Sequence, residues 1–207
     1  DVARLNFSHQ SQEEQKVRSD MVKRLRRELG IPVALLLDTK GPEIRTTSFQ
    51  TPKVTLKQGD LFTLTTRDIV GDDTIAGVTF PRLAQEVKPG AKILIDDGLI
   101  ELRVESCTDT DAHCTVINGG TISANKGINI PGIKLSLPFI SEKDRRDIAF
   151  AVKEDFDFIA ASFTRSAQDI IDMRTELEKL SCHKIRIIAK IENSDGVENI
   201  DEIIRFA

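Results

Sequence analysis

Tryptophan and tyrosine are both absent from the 207 residues, so near-ultraviolet absorbance is weak and concentration must be measured another way. Cysteine is scarce. The three present, Cys107, Cys114 and Cys182, are an odd number with no metal-ligand spacing, and they read as free thiols in a reducing cytoplasm. Cys107 and Cys114 fall where neighbouring strands could place them together, but nothing else in the sequence argues for a disulfide. No apolar run approaches the roughly 18 residues of a membrane span, and no secretory leader is visible. Neither sign of charge dominates: 33 acidic and 29 basic residues leave a net charge of -4. That balance argues against nucleic acid or a membrane surface as the main partner. Sequence-level repeats and low-complexity tracts are missing too.

The chain is long enough to bury roughly 70% of its unfolded surface if it forms one body. Three regions differ in texture. In residues 1–41, Val2 to Phe7 reads as a strand, residues 11–29 as a charged helix, and Pro32 to Leu37 as a buried strand. The helix carries an apolar stripe of Met21, Val22, Leu25 and Leu29 and ends at Gly30. Strand, helix, strand with continuous apolar strands is the signature of a parallel sheet. Residues 42–134 change character. Short β-rich runs (53–56, 61–65, 74–78, 92–95, 100–104, 113–117) are separated by turn signals such as Gln58-Gly59-Asp60 and Asn118-Gly119-Gly120. They predict an antiparallel barrel or sandwich. Residues 135–207 return to the first pattern: a capped helix from Ser141 to about Glu154, a strand over 156–163, a helix from Ser166 to about Leu180, a strand over 185–191, and a last helix after Asn193-Ser194.

The expected fold is α/β: a partial (β/α)8 TIM barrel over 1–41 and 135–207, interrupted by an all-β, barrel-like domain over 42–134. Four such strands are about half of a barrel, which takes roughly 250 residues when complete. The chain opens on Asp1 in strand-like sequence and stops at Ala207 inside a helical pattern, so both ends read as cut. Unpaired strands of an open half-barrel predict exposed edges and either aggregation or a partner.

In a β/α barrel the reactive groups sit where strands run into the following loops, and each chemically suggestive cluster falls there. In Ile187-Ile188-Ala189-Lys190-Ile191-Glu192-Asn193, Lys190 and Glu192 are two positions apart and share a face if the strand continues through them. An ammonium beside a carboxylate suits a metal plus a transferring phosphoryl group, although a surface ion pair has the same pattern. After the first strand, Arg4, Asn6 and Ser8 again alternate onto one face and suit phosphate plus a monovalent cation; Asn6 to Ser8 could equally cap the next helix. After the second come Asp38, Thr39, Lys40, Glu43 and Arg45, where an Asx turn and a solvated ion pair are the plain alternatives.

In order along the chain, Ala3-Arg4-Leu5-Asn6-Phe7-Ser8-His9, Leu37-Asp38-Thr39-Lys40-Gly41-Pro42-Glu43-Ile44-Arg45, Lys126-Gly127-Ile128-Asn129-Ile130-Pro131-Gly132, Ser162-Phe163 and Ala189-Lys190-Ile191-Glu192-Asn193 closely resemble the pyruvate kinase family. The resemblance implies phosphoryl transfer from phosphoenolpyruvate to ADP, giving pyruvate and ATP. It implies Lys190 as the catalytic and substrate-binding lysine, Arg4 as the contact to the substrate phosphate, and Glu192 as a ligand of Mg2+ or Mn2+. Asn6, Ser8, Asp38 and the Thr39 carbonyl would form the K+ site, with Glu43 marking the K+-requiring form of the family. Asn6, His9, Arg45 and Lys126 resemble nucleotide-side groups, and the β-rich insert resembles a lid with hinges at Gly41-Pro42 and Pro131-Gly132. The family also implies a cytoplasmic homotetramer. Gln10 departs from the family's usual glycine. The family's second metal-binding aspartate, an enolate-side threonine, the last barrel strands and the C-terminal domain would lie past Ala207, and its first barrel strand before Asp1. These residues alone are therefore expected not to turn over substrate. Two competing expectations are a metal-dependent lyase or aldolase acting on pyruvate enolate, which would need neither the cation cluster nor a nucleotide lid, and a non-catalytic binding module.

Overall fold

Apolar runs of four or five residues, separated by helices with strong caps, pair side by side rather than coil. The computed structural model describes residues 1–8, 10–133 and 135–207. They form two units, Asp1–Pro42 with Pro138–Ala207, and Glu43–Leu137.

The first unit begins with β1 (Val2–Asn6), α1 (Gln12–Leu29) and β2 (Ala34–Asp38). The second contains β3 (Ile44–Arg45), β4 (Val54–Leu56), β5 (Leu61–Thr65), β6 (Ile75–Gly77), the short α2 (Leu83–Glu86), β7 (Lys92–Ile95), β8 (Ile100–Cys107), β9 (Asp111–Asn118), β10 (Gly120–Ile122) and β11 (Gly127–Asn129). The first unit resumes with α3 (Glu142–Lys153), β12 (Phe158–Ala161), α4 (Ala167–Lys179), β13 (Arg186–Ala189), α5 (Ser194–Glu198) and α6 (Ile200–Phe206).

In the first unit the strands form one parallel sheet in the order β1-β2-β12-β13. Leu5, Leu35, Leu37, Ile159 and Ile187 point from one face into a core shared with Ile148 and Phe150 of α3, Ile170, Met173 and Leu177 of α4, and Ile203 of α6. Reciprocal capping boxes start two of the covering helices: Ser11 with Glu14 on α1, and Ser141 with Asp144 on α3. Gly30 closes α1 at a φ of 65°, in the left-handed region where a side chain would be strained.

Several elements differ from expectation. β13 stops at Ala189, not Ile191, so Lys190 and Glu192 lie beyond the strand. Its partner β12 ends at Ala161, and the chain turns away at Phe163 (φ 56°), leaving no ladder to continue. β1 stops at Asn6, whose side-chain oxygen accepts the Ser8 N–H at 2.8 Å, so Ser8 belongs to a turn and not to the strand face. The apolar stripe of α1 is largely outside: Met21, Leu25 and Leu29 are exposed, and Gln15, Ser19 and Val22 face inward instead. The last helix is two, α5 and α6. No helix among the described residues is long and apolar enough to cross a membrane.

The second unit is a seven-stranded sheet in the order β3-β11-β7-β8-β9-β5-β6, with a separate β4–β10 pair. Its pairings are antiparallel except β5 with β6, which run parallel. The sheet closes on itself: Thr46, next to β3, bridges Val78, next to β6, and Thr79 N–H donates to the Arg45 carbonyl at 2.9 Å. Phe62, Leu64, Ile93, Ile95, Ile100, Leu102 and Val116 fill the interior.

Cys107 and Cys114 lie on adjacent strands but not opposite each other; Cys114 faces Val104, and Cys107 faces Ala112. Burial pushes the Cys114 thiol up to about 12. At pH 8 that leaves on the order of one Cys114 thiol in ten thousand ionised. Labelling with a disulfide reagent at pH 8 is expected to modify half-buried Cys107 first, and buried Cys114 and Cys182 only after denaturation. Rapid labelling in native protein would show that the packing opens more readily than it implies, in the second unit if Cys114 reacts and in the parallel-sheet unit if Cys182 does.

Candidate active site

Parallel pairing brings the ends of all four strands to one edge of the sheet. The register sets Asn6 beside Asp38, and Asp38 beside Ala160. Since side chains alternate, Arg4, Asn6 and Asp38 occupy the face opposite the helix-covered core. Just past the ends of β12 and β13 the chain adds Ser162 and Lys190, locked together by the backbone bonds Lys190 N–H to Ala161 carbonyl (3.0 Å) and Thr164 N–H to Lys190 carbonyl (3.1 Å).

Asp38 is the hub. Its side chain is only 2% exposed, and a bare carboxylate there would carry a large desolvation cost. Arg4 donates from Nε to Oδ2 at 2.7 Å, and its Nη2 also contacts Oδ2. Oδ1 receives the Lys190 ammonium at 3.0 Å and the Ser162 hydroxyl at 3.1 Å. A carboxylate offers about four lone-pair positions, so Asp38 is saturated by two cations and a hydroxyl. Ser162 is tied in from every side. Its hydroxyl shares its proton between Asp38 and the Thr39 carbonyl (2.7 Å) and accepts from Lys190 at 3.0 Å. Its N–H donates to Thr39 Oγ1 at 3.1 Å. Gly41, at φ 69°, packs so closely that an added Cβ would sit 2.8 Å from the Ser162 carbonyl oxygen.

Glu192 completes the cluster. One oxygen lies 3.2 Å from the Lys190 ammonium, and the other accepts the Phe163 N–H at 3.0 Å. Phe163 holds a positive φ, rare for a bulky residue, and its carbonyl is bound by the Asn193 amide at 3.2 Å. The strained peptide is thus held at both its N–H and its carbonyl by the segment that carries Glu192.

The remaining predicted residues are placed as follows. Asn6 spends its side-chain oxygen on Ser8, and the Thr39 carbonyl accepts from Ser162. His9 lies outside the described residues. Glu43, Arg45 and Lys126 belong to the second unit and are paired within it. Glu43 grips Arg45 through two bonds of 2.7 and 2.9 Å, which hold the guanidinium pKa above its ordinary value, and Arg45 Nη1 donates to the Asn125 carbonyl at 2.6 Å. Lys126 pairs with Asp96 at 2.8 Å.

No group of three or more His, Cys, Asp and Glu able to hold a metal occurs among the described residues. The donor chemistry still discriminates. Glu192 offers one carboxylate at the edge of the cluster, suited to a hard divalent ion that takes its other ligands from water and phosphate oxygens. Asn6, Ser8, Asp38 and the Thr39 carbonyl offer amide, hydroxyl, carboxylate and carbonyl oxygens, a hard oxygen set suited to an alkali cation. Asp38 already carries Arg4 and Lys190, so a further cation at its oxygens must displace one of them.

Ser162 is the member of this cluster to which sequence reasoning gave no role, although the Ser162-Phe163 pair at the end of its strand is among the motifs that carry the resemblance. What the cluster offers chemically is positive charge, from Arg4 and Lys190, set over a buried anion with one side open: the Arg4 side chain is 58% exposed. Such an arrangement has the chemistry to meet an anion whose charge shifts during reaction.

The family model for the pyruvate kinase barrel domain matches residues 1–207. Over 205 residues the chain is 44% identical to pyruvate kinase of Clostridium perfringens, covering 99% of this chain and 43% of that protein. It is 46% identical over 208 residues to pyruvate kinase of Geobacillus stearothermophilus, covering all of this chain and 35% of that one. Pyruvate kinase of Staphylococcus aureus is 43% identical over 208 residues, with the same coverage of 100% and 35%. The chain thus spans well under half the length of these relatives.

Proposed function

The chain belongs to the pyruvate kinase family, and from that premise we propose that the polypeptide carrying it transfers a phosphoryl group from phosphoenolpyruvate to ADP, giving pyruvate and ATP. The observation that supports this reading is the Arg4–Asp38–Lys190–Ser162 cluster beside Glu192, on one edge of a parallel sheet.

Phosphoryl transfer calls for positioning and charge neutralisation more than for covalent chemistry. Arg4 uses Nε and Nη2 on Asp38 and presents an otherwise exposed guanidinium to the substrate phosphate. Lys190, held against Asp38 and Ser162, offsets the charge that develops on the migrating phosphoryl group and on the enolate oxygen. Asp38 keeps both cations in place before substrate arrives and prevents their mutual repulsion. Glu192 would hold Mg2+ or Mn2+, which supplies Lewis-acid polarisation of the phosphoryl oxygens when bound. Asn6, Ser8, Asp38 and the Thr39 carbonyl would hold K+ once Arg4 gives up its place on Asp38 for the substrate phosphate. We place Arg45 and Lys126 on the nucleotide side, with the second unit as a lid. In resting protein each of the two cations is charge-paired, with Glu43 and Asp96.

The direct test is ATP formation from phosphoenolpyruvate and ADP with Mg2+, with and without K+, by protein of the relatives' full length that carries these residues. Substrate-dependent, K+-stimulated ATP formation supports the proposal; pyruvate enolate chemistry without ADP dependence would overturn it. In the same assay Glu43→Lys is expected to abolish most of the K+ stimulation, because a fixed cation then supplies the positive charge. It also removes both bonds to Arg45. Unchanged K+ stimulation in that variant would remove Glu43 from the charge balance of the cation site.

A further inference from the structure

The Lys190 ammonium has three N–H donors, and three acceptors meet it: Asp38 Oδ1 at 3.0 Å, Ser162 Oγ at 3.0 Å and Glu192 Oε1 at 3.2 Å. Two of the three are carboxylates. Attraction between point charges is weakly directional, so an ammonium between two carboxylates can slide toward either. The third acceptor is a neutral hydroxyl, and its position is closely defined. Ser162 is 2% exposed, its oxygen is anchored on the Thr39 carbonyl, and its N–H is anchored on Thr39 Oγ1. Gly41 leaves no room on the other side of its backbone.

We infer that Ser162 is a positioning residue: its hydroxyl fixes where the Lys190 ammonium points, between the buried anion Asp38 and the metal-side carboxylate Glu192. Its catalytic consequence rests on the kinase reading above; its geometric content does not. The hydroxyl is engaged with Asp38, the Thr39 carbonyl and Lys190. It acts through Lys190, and without it the ammonium keeps two anionic partners but loses the neutral one that sets its direction.

The experiment is Ser162→Ala with two readouts. The first is the acetylation rate of each lysine at one fixed pH, followed by mass spectrometry in full-length protein. Lys190 is expected to label at least about threefold faster in the variant, as one of its three tethers is gone. Lys143, held by the Phe7 carbonyl and Asp147, serves as the internal control and is expected to stay constant. An unchanged Lys190 rate overturns the inference and leaves Ser162 as a strut for the Thr39 loop. The second readout is steady-state kinetics in full-length protein. There kcat is expected to fall roughly tenfold, with KM for phosphoenolpyruvate within about twofold of wild type, because direction matters more in the transition state than in binding. Equal losses in kcat and stability with no KM–kcat split would also overturn it. If wild type forms no ATP while Lys190 labelling still rises, the kinase reading fails and the positioning role stands. Should Ser162→Ala not fold, Ser162→Cys keeps the side-chain shape at a somewhat larger volume, replaces a strong acceptor with a weak one, and is read in the same way.

Discussion

Lys190→Met should lower ATP formation by about three orders of magnitude in full-length protein, with little change in the cooperativity of unfolding. Oriented cationic groups that meet charge developing in a transition state supply effects of this size. Methionine keeps most of the stem volume, so the core beneath is not opened. The loss is larger than a surface ion pair would explain, since such pairs contribute under about 1 kcal/mol. Asp38 would keep Arg4 and the Ser162 hydroxyl, and so would not be left bare. The check is kcat measured alongside a urea melt followed by far-ultraviolet circular dichroism. Retention of more than about a tenth of wild-type kcat would remove Lys190 from the chemistry.

Phe7→Ala tests the other half of the unit, the core on which the cluster stands. Phe7 is fully buried, and its ring sits 5.7 Å from that of Phe150 and 6.2 Å from that of Phe156, the latter edge-on. Its backbone is part of the same corner: the N–H donates to the Asp38 carbonyl at 3.0 Å, and the carbonyl accepts from the Lys143 ammonium at 2.6 Å. Removing a buried phenylalanine costs about 3–5 kcal/mol, the lost transfer energy plus the cavity left behind. A shift of that size in the urea transition of the parallel-sheet unit is expected. A change under about 1 kcal/mol would mean that Phe150 and Phe156 collapse into the gap and that the three rings do not depend on one another.

The β/α character of the first unit was legible because its strands are short and apolar and a capping-box pattern starts the helix at Ser141; the box at Ser11 was not read. The side of α1 that faces inward was not. Counting apolar residues at helical spacing selects the stripe of Met21, Val22, Leu25 and Leu29, of which only Val22 packs on the core; the helix also turns in Gln15, which donates to the Asn6 carbonyl, and Ser19, which bonds back to Lys16. Periodicity identifies a stripe but not what covers it. The short strands β3, β10 and β11 were missed because two or three residues pair only when a neighbouring backbone is delivered to them, and nothing in their own composition asks for it.

The candidate site divides in the same way. Lys190 and Glu192 were linked by their spacing of two on an assumed strand; the structure brings them within 3.2 Å past the strand's end, through the turn at Phe163. The alternation argument therefore pointed at a true neighbour by an incorrect route. Ser162 was legible as part of a motif but not in its role, because a serine after two alanines has no assignable partner until Thr39, Asp38 and Lys190 are placed around it.

The bridge between Thr46 and Val78 bears on how such a chain can change over time. A β-sheet of this size normally has two unsatisfied borders, each an invitation to a foreign strand. Here the seven-stranded sheet of the second unit consumes its own borders, and it has its own interior of Phe62, Leu64, Ile93 and Leu102. A segment built like this is a cassette. It can be lengthened in its loops, or exchanged for another closed module, without asking the parallel sheet for a single new backbone bond. Its exposed residues away from Arg45 and Lys126, such as Leu61 and Val70, are free to diversify on a timescale of their own, while the cluster around Asp38 is bound by four mutually dependent strand ends.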